Sequence, residues 1–195
     1  MQNTFTMDID KIYLERCLGN ESKAQEILYR HYAPKMLALC VRYSKSREEA
    51  EDILQEGFIK VFTKLNDFRN EGSLEGWIRR IMINTALNSH KKKSLLLQDI
   101  NPELFEQSRV EQPLSLDYLS AEELRKVIAG IPNPYQLVFN LNAIEGYTHK
   151  EIGEMLNIST NTSKSRLNRA RNIIQKRYLQ IHSVSLSNSY DRAIA

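Results

Sequence analysis

Apolar residues recur along this chain at steps of three and four, the period of a helix with one buried face. The alternation of a half-buried strand is absent. Ile9 to Leu18 predicts a short first helix, stopped at Gly19-Asn20. Ser22 to Tyr32 predicts a second, with Ala24, Ile27, Leu28 and Tyr32 inward. Pro34 marks a boundary or a first helical turn. Lys35 to Tyr43 then continues with Met36, Leu37, Leu39, Cys40 and Tyr43. Ser46 and Glu49 have the spacing of a capping box and open a helix to about Leu65, with Ile53, Leu54, Phe58, Val61, Phe62 and Leu65 as its inner stripe. Ile59 falls on the opposite, polar side, beside Asp52, Gln55 and Thr63. A polar, Gly-containing loop over Asp67 to Gly76 leads into a helix from about Leu74 to Lys93. Trp77, Ile78, Ile81, Met82, Thr85, Ala86 and Leu87 form its inner face. Arg79, Arg80, Asn84, Asn88, Lys91, Lys92 and Lys93 are left for solvent or phosphate.

From Ser94 to about Asp117 no long helical stripe survives. Two prolines and many acids predict a solvated linker there. Ser120 and Glu123 predict a further capped helix to about Ala129, and Ile131-Pro132-Asn133-Pro134 breaks it. Tyr135 to Ile144 predicts the next helix, with Leu137, Val138, Leu141 and Ile144 inward. The tail from about Ser183 is small and polar and is expected to fray.

The stretch from Tyr147 to Arg177 carries the most chemistry. Thr148 and Glu151 form a capping box, and Ile152, Met155 and Leu156 give an apolar stripe. Asn157 is placed to end the helix in the left-handed conformation, Ile158 plugs the corner, and Ser159 caps the next helix. That helix carries Lys164, Arg166, Arg169, Arg171, Lys176 and Arg177, with no acid from Thr160 to Arg177. Leu167, Ala170, Ile173 and Ile174 form its inner face. Two helices joined by such a corner, the second one basic, fit a helix-turn-helix whose second helix enters the major groove.

The pattern as a whole predicts an all-α protein of two small helical domains joined by a linker, the C-terminal one a helix-turn-helix. The boundaries are an N-terminal extension and short helix over 1–22, a helical domain over 23–93, an acidic linker over 94–118, a helix-turn-helix domain over 119–182 and a flexible tail over 183–195. The 195 residues carry a formal net charge of +3, and its distribution says more than its sum. Glu48, Glu49, Glu51, Asp52 and Glu56 cluster in one helix, basic residues dominate the next, and acids return in the linker. Signed blocks suggest separate surfaces for separate partners. Cys17 and Cys40 match no metal or disulfide spacing, so two buried or free thiols are expected. No apolar run approaches membrane-spanning length, and Met1 to Asp10 has no signal-peptide form. The chain is expected to be soluble and cytoplasmic.

The segment Asp52-Ile53-Leu54-Gln55-Glu56-Gly57-Phe58-Ile59-Lys60-Val61-Phe62 resembles the core-binding helix of bacterial sigma factors. Trp77 to Asn88, with the lysine run after it, resembles their promoter-melting helix. Leu141 to Ile152 and the helices that follow resemble their promoter-reading domain. The layout is similar to that of the extracytoplasmic-function (ECF) group, over roughly Lys23 to Tyr178. The resemblance implies a factor that gives core RNA polymerase its promoter specificity and nucleates strand opening. It implies that Asp52, Gln55, Glu56 and Ile59 dock on the polymerase β′ clamp helices. The loop from Arg69 to Ser73, Asn70 included, with Asn84 and Asn88, would hold an extruded base of the downstream promoter element, and Arg79, Arg80, Lys91, Lys92 and Lys93 its backbone. The acidic linker would thread the RNA exit path, its carboxylates imitating nucleic-acid charge, and the partner implied is core RNA polymerase, both the β′ clamp and β. Thr162, Lys164, Ser165, Arg166, Arg169 and Arg171 would meet the upstream promoter element.

Two positions depart from the family pattern. Asn161 stands where the family commonly has Gly, and Ser163 where it has Val. Ser163 is expected to bond back to a carbonyl of the preceding turn. Factors of this group are commonly held inactive by an anti-sigma factor, often membrane-anchored, which implies such a partner without membrane insertion of the chain itself. Neither a cofactor nor a metal site is implied, and no enzymatic constellation is present: there is no phosphate-binding Gly loop, and the four histidines lie far apart. A dimeric helix-turn-helix regulator would explain the C-terminal half alone and leave the Asp52–Phe62 face and the tri-lysine helix without a use.

Overall fold

The computed structural model of the protein describes residues 14–96, 127–128 and 130–193, with side chains over 14–90, 127–128 and 130–180. Every regular element among them is helical. The chain divides into two compact units, 1–100 and 101–195. No helix among the described residues is long and apolar enough to cross a membrane.

The first unit begins with α1, residues 14–18, which ends at Gly19-Asn20. Asn20 supplies the left-handed residue, with φ of 57°. Helix α2 spans Ser22–Val41, α3 spans Arg47–Thr63, a short 3-10 turn covers Leu65–Asp67, and α4 spans Leu74–Leu96. The three long helices pack against one another. Helix α2 corrects one expectation, because it runs unbroken through Pro34. An interior proline forgoes one backbone bond and costs about 3 kcal/mol. Here the proline is exposed, whereas Tyr32, Met36, Leu39 and Cys40 on either side are at most 1% exposed. Burying that continuous face outweighs the local break.

Helix α4 buries more than its periodicity indicates. Ile78, Met82, Ile83, Thr85, Ala86 and Leu87 are all buried, while Ile81 is only half-buried. Ile83 was absent from the expected inner face. It is covered because α4 packs against both α2 and α3, and two neighbours widen the buried arc. Gly57 lets α3 and α4 approach closely: a Cβ there would lie 2.2 Å from Met82 Sδ. At the edges, Lys35 Nζ donates to Glu75 at 2.8 Å, tying α2 to α4, and Lys60 Nζ donates to Thr85 Oγ1 at 3.2 Å, tying α3 to α4.

Both cysteines are buried and unbridged. Burial pushes the Cys17 thiol up and the Cys40 thiol up from 9.0 to about 12. The unfolded chain therefore releases the Cys40 proton near pH 9, whereas the folded chain holds it to about pH 12. Above pH 9 the unfolded state binds fewer protons, so this group makes stability fall as pH rises through that window. The thiolate is the reactive form. At pH 8 a thiol-specific disulfide reagent should leave Cys40 unlabelled in the native protein and label it fully in denaturant. Fast native labelling of Cys40 would contradict its burial.

In the second unit, residues 127–128 are helical, α5 spans Asn133–Phe139, a π-helical turn covers Asn140–Ile144, α6 spans His149–Leu156 and α7 spans Thr160–Ala193. Helix α5 starts two residues before the expected Tyr135, because Pro134 sits in its first turn, where a missing N–H costs nothing. The expected regular helix to Ile144 ends early. Glu145 N donates to Asn140 O at 3.0 Å, a five-residue step that rotates the register. Ile144, expected inward, is consequently 38% exposed. The core joins Val127, Ile131, Tyr135, Ala170 and Ile174, with Ile128, Phe139 and Ile173 packed against it.

Arg177 works inside this unit. Its guanidinium donates to Val127 O at 3.1 Å and Gly130 O at 2.7 Å, satisfying carbonyls where the helix gives way before Ile131-Pro132. Helix α7 also continues past Ser183, where a frayed tail was expected. No Gly or Pro interrupts Thr160 to Ala193, so nothing in the backbone stops the helix. Residues 94–96 extend α4. The rest of the expected acidic linker and the Ser120–Glu123 capping box lie outside the described residues.

Candidate nucleic-acid and partner interfaces

The N-terminus of α3 is set by its cap. Ser46 Oγ accepts from Glu49 N at 3.2 Å, but the Glu49 carboxylate takes the N–H of Lys45 at 3.0 Å. The box thus closes one residue before the cap. Glu48 and Glu49 in the first turn and Lys60 in the last both favour the helix dipole. Ile53, Leu54, Gly57, Phe58 and Val61 face inward. Asp52, Gln55, Glu56 and Ile59 therefore share the outer face, and all four are exposed. Ile59 is 67% exposed. Glu56 accepts from Lys60 Nζ at 2.6 Å. The arrangement is a ledge with an isoleucine beside an acid and an amide, suited to a partner that supplies both an apolar contact and cations.

The face of α4 away from the core carries Arg80, Asn84 and Asn88, each exposed and one turn apart. Arg79 is half-buried on the flank. Lys91, Lys92 and Lys93 continue the helix; their side chains lie outside the described ones. The start of α4 is held by Ser73, whose Oγ accepts from Gly76 N at 3.1 Å. In the loop before it, Arg69 and Asn70 are exposed, and Asn70 takes a left-handed φ of 60°. The Phe68 ring rests on Trp77 with centroids 5.5 Å apart, so the loop is anchored at its root while its polar tip stands in solvent.

The helix-turn-helix forms as its local signals require. Thr148 Oγ1 accepts from Glu151 N at 3.3 Å, and Glu151 Oε2 accepts from Thr148 N at 2.8 Å. Asn157 ends α6 in the left-handed region, with φ of 54° and ψ of 51°. Ser159 Oγ accepts from Thr162 N at 2.9 Å and caps α7. The corner also depends on Gly153, since a Cβ there would lie 2.8 Å from Ile158 O.

Ser163 corrects its expected bonding. It is fully buried, and its Oγ pairs with His149 Nδ1 at 2.9 Å across the two helices, not with the preceding turn. The Ser hydroxyl can donate or accept, so the pair forms with either tautomer of the imidazole. A double-mutant cycle on His149→Ala and Ser163→Ala should return a coupling of about 0.5–1.5 kcal/mol in the unfolding of this unit. A coupling of zero would mean the contact adds nothing.

The expected groove-facing residues do not behave alike. Lys164, Ser165, Arg169 and Arg171 are exposed, and Thr162 and Arg166 are half-buried. The Arg169 guanidinium donates to Tyr135 OH at 3.2 Å and lies 5.7 Å from that ring's centroid. Its charge is held at the surface by α5. Thr162 Oγ1 pairs with Ser159 Oγ at 2.8 Å. Two residues that the sequence reading did not select, Asn161 and Asn168, stand exposed on the same helix.

Residues 28–95 match the family model for sigma-70 region 2, and residues 121–174 that for sigma-70 region 4. The ECF RNA polymerase sigma factor SigE of Mycolicibacterium smegmatis is 29% identical over 166 residues, 83% of this chain; the chain spans 64% of that relative's length. The RNA polymerase sigma-H factor of Pseudomonas aeruginosa is 28% identical over 183 residues, covering 88% of this chain and 94% of the relative. Among solved structures, the sigma factor RpoE of Bartonella quintana, in complex with the anti-sigma factor NepR, has a similar fold, with a TM-score of 0.51 at 22% identity over 77% of this chain and 94% of that one.

Proposed function

The chain belongs to the ECF group of sigma-70 factors, and from that premise we propose how its surfaces divide the work of giving core RNA polymerase its promoter specificity. The outer face of α3, with Asp52, Gln55, Glu56 and Ile59, docks on the β′ clamp helices. The loop at Arg69 and Asn70, with Asn84 and Asn88, holds an extruded base of the downstream element, and nucleates strand opening there. Unstacking a base costs a few kcal/mol, which a hydrogen-bonding pocket offsets. Arg79, Arg80 and Lys91 to Lys93 hold the adjoining backbone. We assign 23–93 to polymerase binding and melting, 94–118 to the linker along the RNA exit path, and 119–182 to the upstream element.

The role is non-catalytic and belongs in the cytoplasm, where polymerase and promoter meet. An anti-sigma factor is the expected negative regulator, as the complex of the RpoE relative with NepR suggests by analogy.

One observation carries this reading: a chain with a helix-turn-helix also presents, on a separate unit, an isoleucine 67% exposed on an acidic helical face. DNA binding alone has no use for that face. A tagged chain recovered from its host's lysate in moderate salt should bring down β and β′ in equal amounts. Recovery as a DNA-bound dimer without polymerase would overturn the reading in favour of a conventional regulator.

A further inference from the structure

Helix α6 is eight residues long, and Ile152 and Gly153 are its buried residues. So short a helix offers α7 a small apolar grip. The hydrogen bond between His149 and Ser163 adds a polar one, and both of its ends stand on capped first turns. The Thr148–Glu151 box pins the backbone of His149, the first residue of α6. The Ser159 cap pins the first turn of α7, where Ser163 N donates to Ser159 O at 2.9 Å. Ser163 is fully buried, and the His149 imidazole is the one hydrogen-bond partner of its hydroxyl among the described residues. Ser163 stands where the family commonly has Val, so this tie belongs to the chain and not to the family pattern.

A hydrogen bond is directional, whereas apolar burial is not. Farther along, α7 is held by the buried Leu167, Ala170 and Ile174. Arg169 adds a bond to Tyr135 OH, and Arg177 adds bonds to the carbonyls of Val127 and Gly130. Ahead of Leu167, the His149 contact ties the start of the helix to α6. From Thr160 to Ala170 the axis runs about 15 Å. A tilt of about 10° over that length moves the first turn by about 2–3 Å, more than a hydrogen bond to a base or a phosphate survives.

We infer that His149 is a positioning residue for upstream-element recognition: through Nδ1 and the Ser163 hydroxyl it sets the tilt at which α7 meets the promoter. The inference rests on the sigma-factor reading and deepens it. The role depends on which ring atom bears the bond. Asn carries its amide atoms on Cγ, where His carries Nδ1. Gln carries them one bond farther out, at the reach of Nε2. His149→Asn therefore keeps a partner for Ser163, and His149→Gln misplaces it.

The test uses the full chain bound to core polymerase and two promoter fragments, one selected by the wild-type holoenzyme and the other with its upstream element scrambled. Binding is measured at a temperature where circular dichroism shows each variant chain folded. His149→Ala and His149→Gln should each lose about tenfold in affinity for the intact fragment, and the loss should vanish on the scrambled one. His149→Asn should stay within about threefold of wild type. Equal affinity of the Asn and Gln chains for the intact fragment, whether both match wild type or both fall, would overturn this assignment alone, because a merely structural His149 would not separate them. Should the alanine chain fail to fold, the Asn and Gln chains decide. A wild-type chain that forms no holoenzyme, or whose holoenzyme selects no upstream sequence, would overturn the proposed function and this inference together.

Discussion

A chain carrying Ile59→Glu should remain folded and lose its hold on core polymerase by about 30-fold or more. Ile59 is 67% exposed, so the substitution leaves no cavity and buries no charge in the free protein. In a docked complex the same side chain would be desolvated, and a carboxylate in an apolar contact is costly. A central apolar anchor at an interface is commonly worth about 2–4 kcal/mol, which sets the magnitude. The check is a binding titration with purified core enzyme, alongside the thermal unfolding curve. Asp52→Ala with Gln55→Ala should give a smaller loss, because exposed polar contacts contribute about 1 kcal/mol or less each. Wild-type affinity in the Ile59→Glu chain would place the polymerase contact elsewhere on the first unit.

Gly153→Val should cripple upstream-element recognition while leaving polymerase binding to the first unit intact. The added Cβ would meet Ile158 O at 2.8 Å. That oxygen belongs to the backbone of the turn, so relief requires the two helices to separate. Overpacking of this kind typically costs about 1–3 kcal/mol, and the branched side chain adds crowding on its own turn. In a small unit that is a large share of total stability. The expected readout is an earlier unfolding transition for the second unit, with transcription from upstream-dependent promoters reduced about tenfold or more. An unchanged melting profile would mean the turn relaxes without cost.

Much of this protein was legible in its sequence because the relevant interactions are local. The caps at Ser46, Thr148 and Ser159 each bond a backbone N–H three residues on. Asn157 takes the left-handed conformation its side chain tolerates. The outward placement of Asp52, Gln55, Glu56 and Ile59 follows from 3.6 residues per turn once the inner stripe is recognised. So does the exposure of Arg80, Asn84 and Asn88. Such contacts are set by neighbours within one or two turns, and neighbours in sequence are what a pattern records.

What the pattern missed depends on elements far apart along the chain. Pro34 breaks no helix because α2 has a long face to bury against α3 and α4. Ile83 is covered because two helices, not one, pack on α4. The π turn over Asn140–Ile144 rotates Ile144 outward. Ser163 finds His149 across the turn, Arg169 finds Tyr135 on α5, and Arg177 turns inward to the carbonyls of Val127 and Gly130. The same logic separates Arg169 and Arg177 from the freely exposed Asn161 and Asn168. The sequence by itself determined an all-helical protein, the helix starts that carry a side-chain cap and the outer faces of α3 and α4, since backbone capping and helical period act locally. Tertiary structure alone decided which basic side chains are occupied within the fold and which polar ones remain open to solvent, because that depends on the side chains packed across from them.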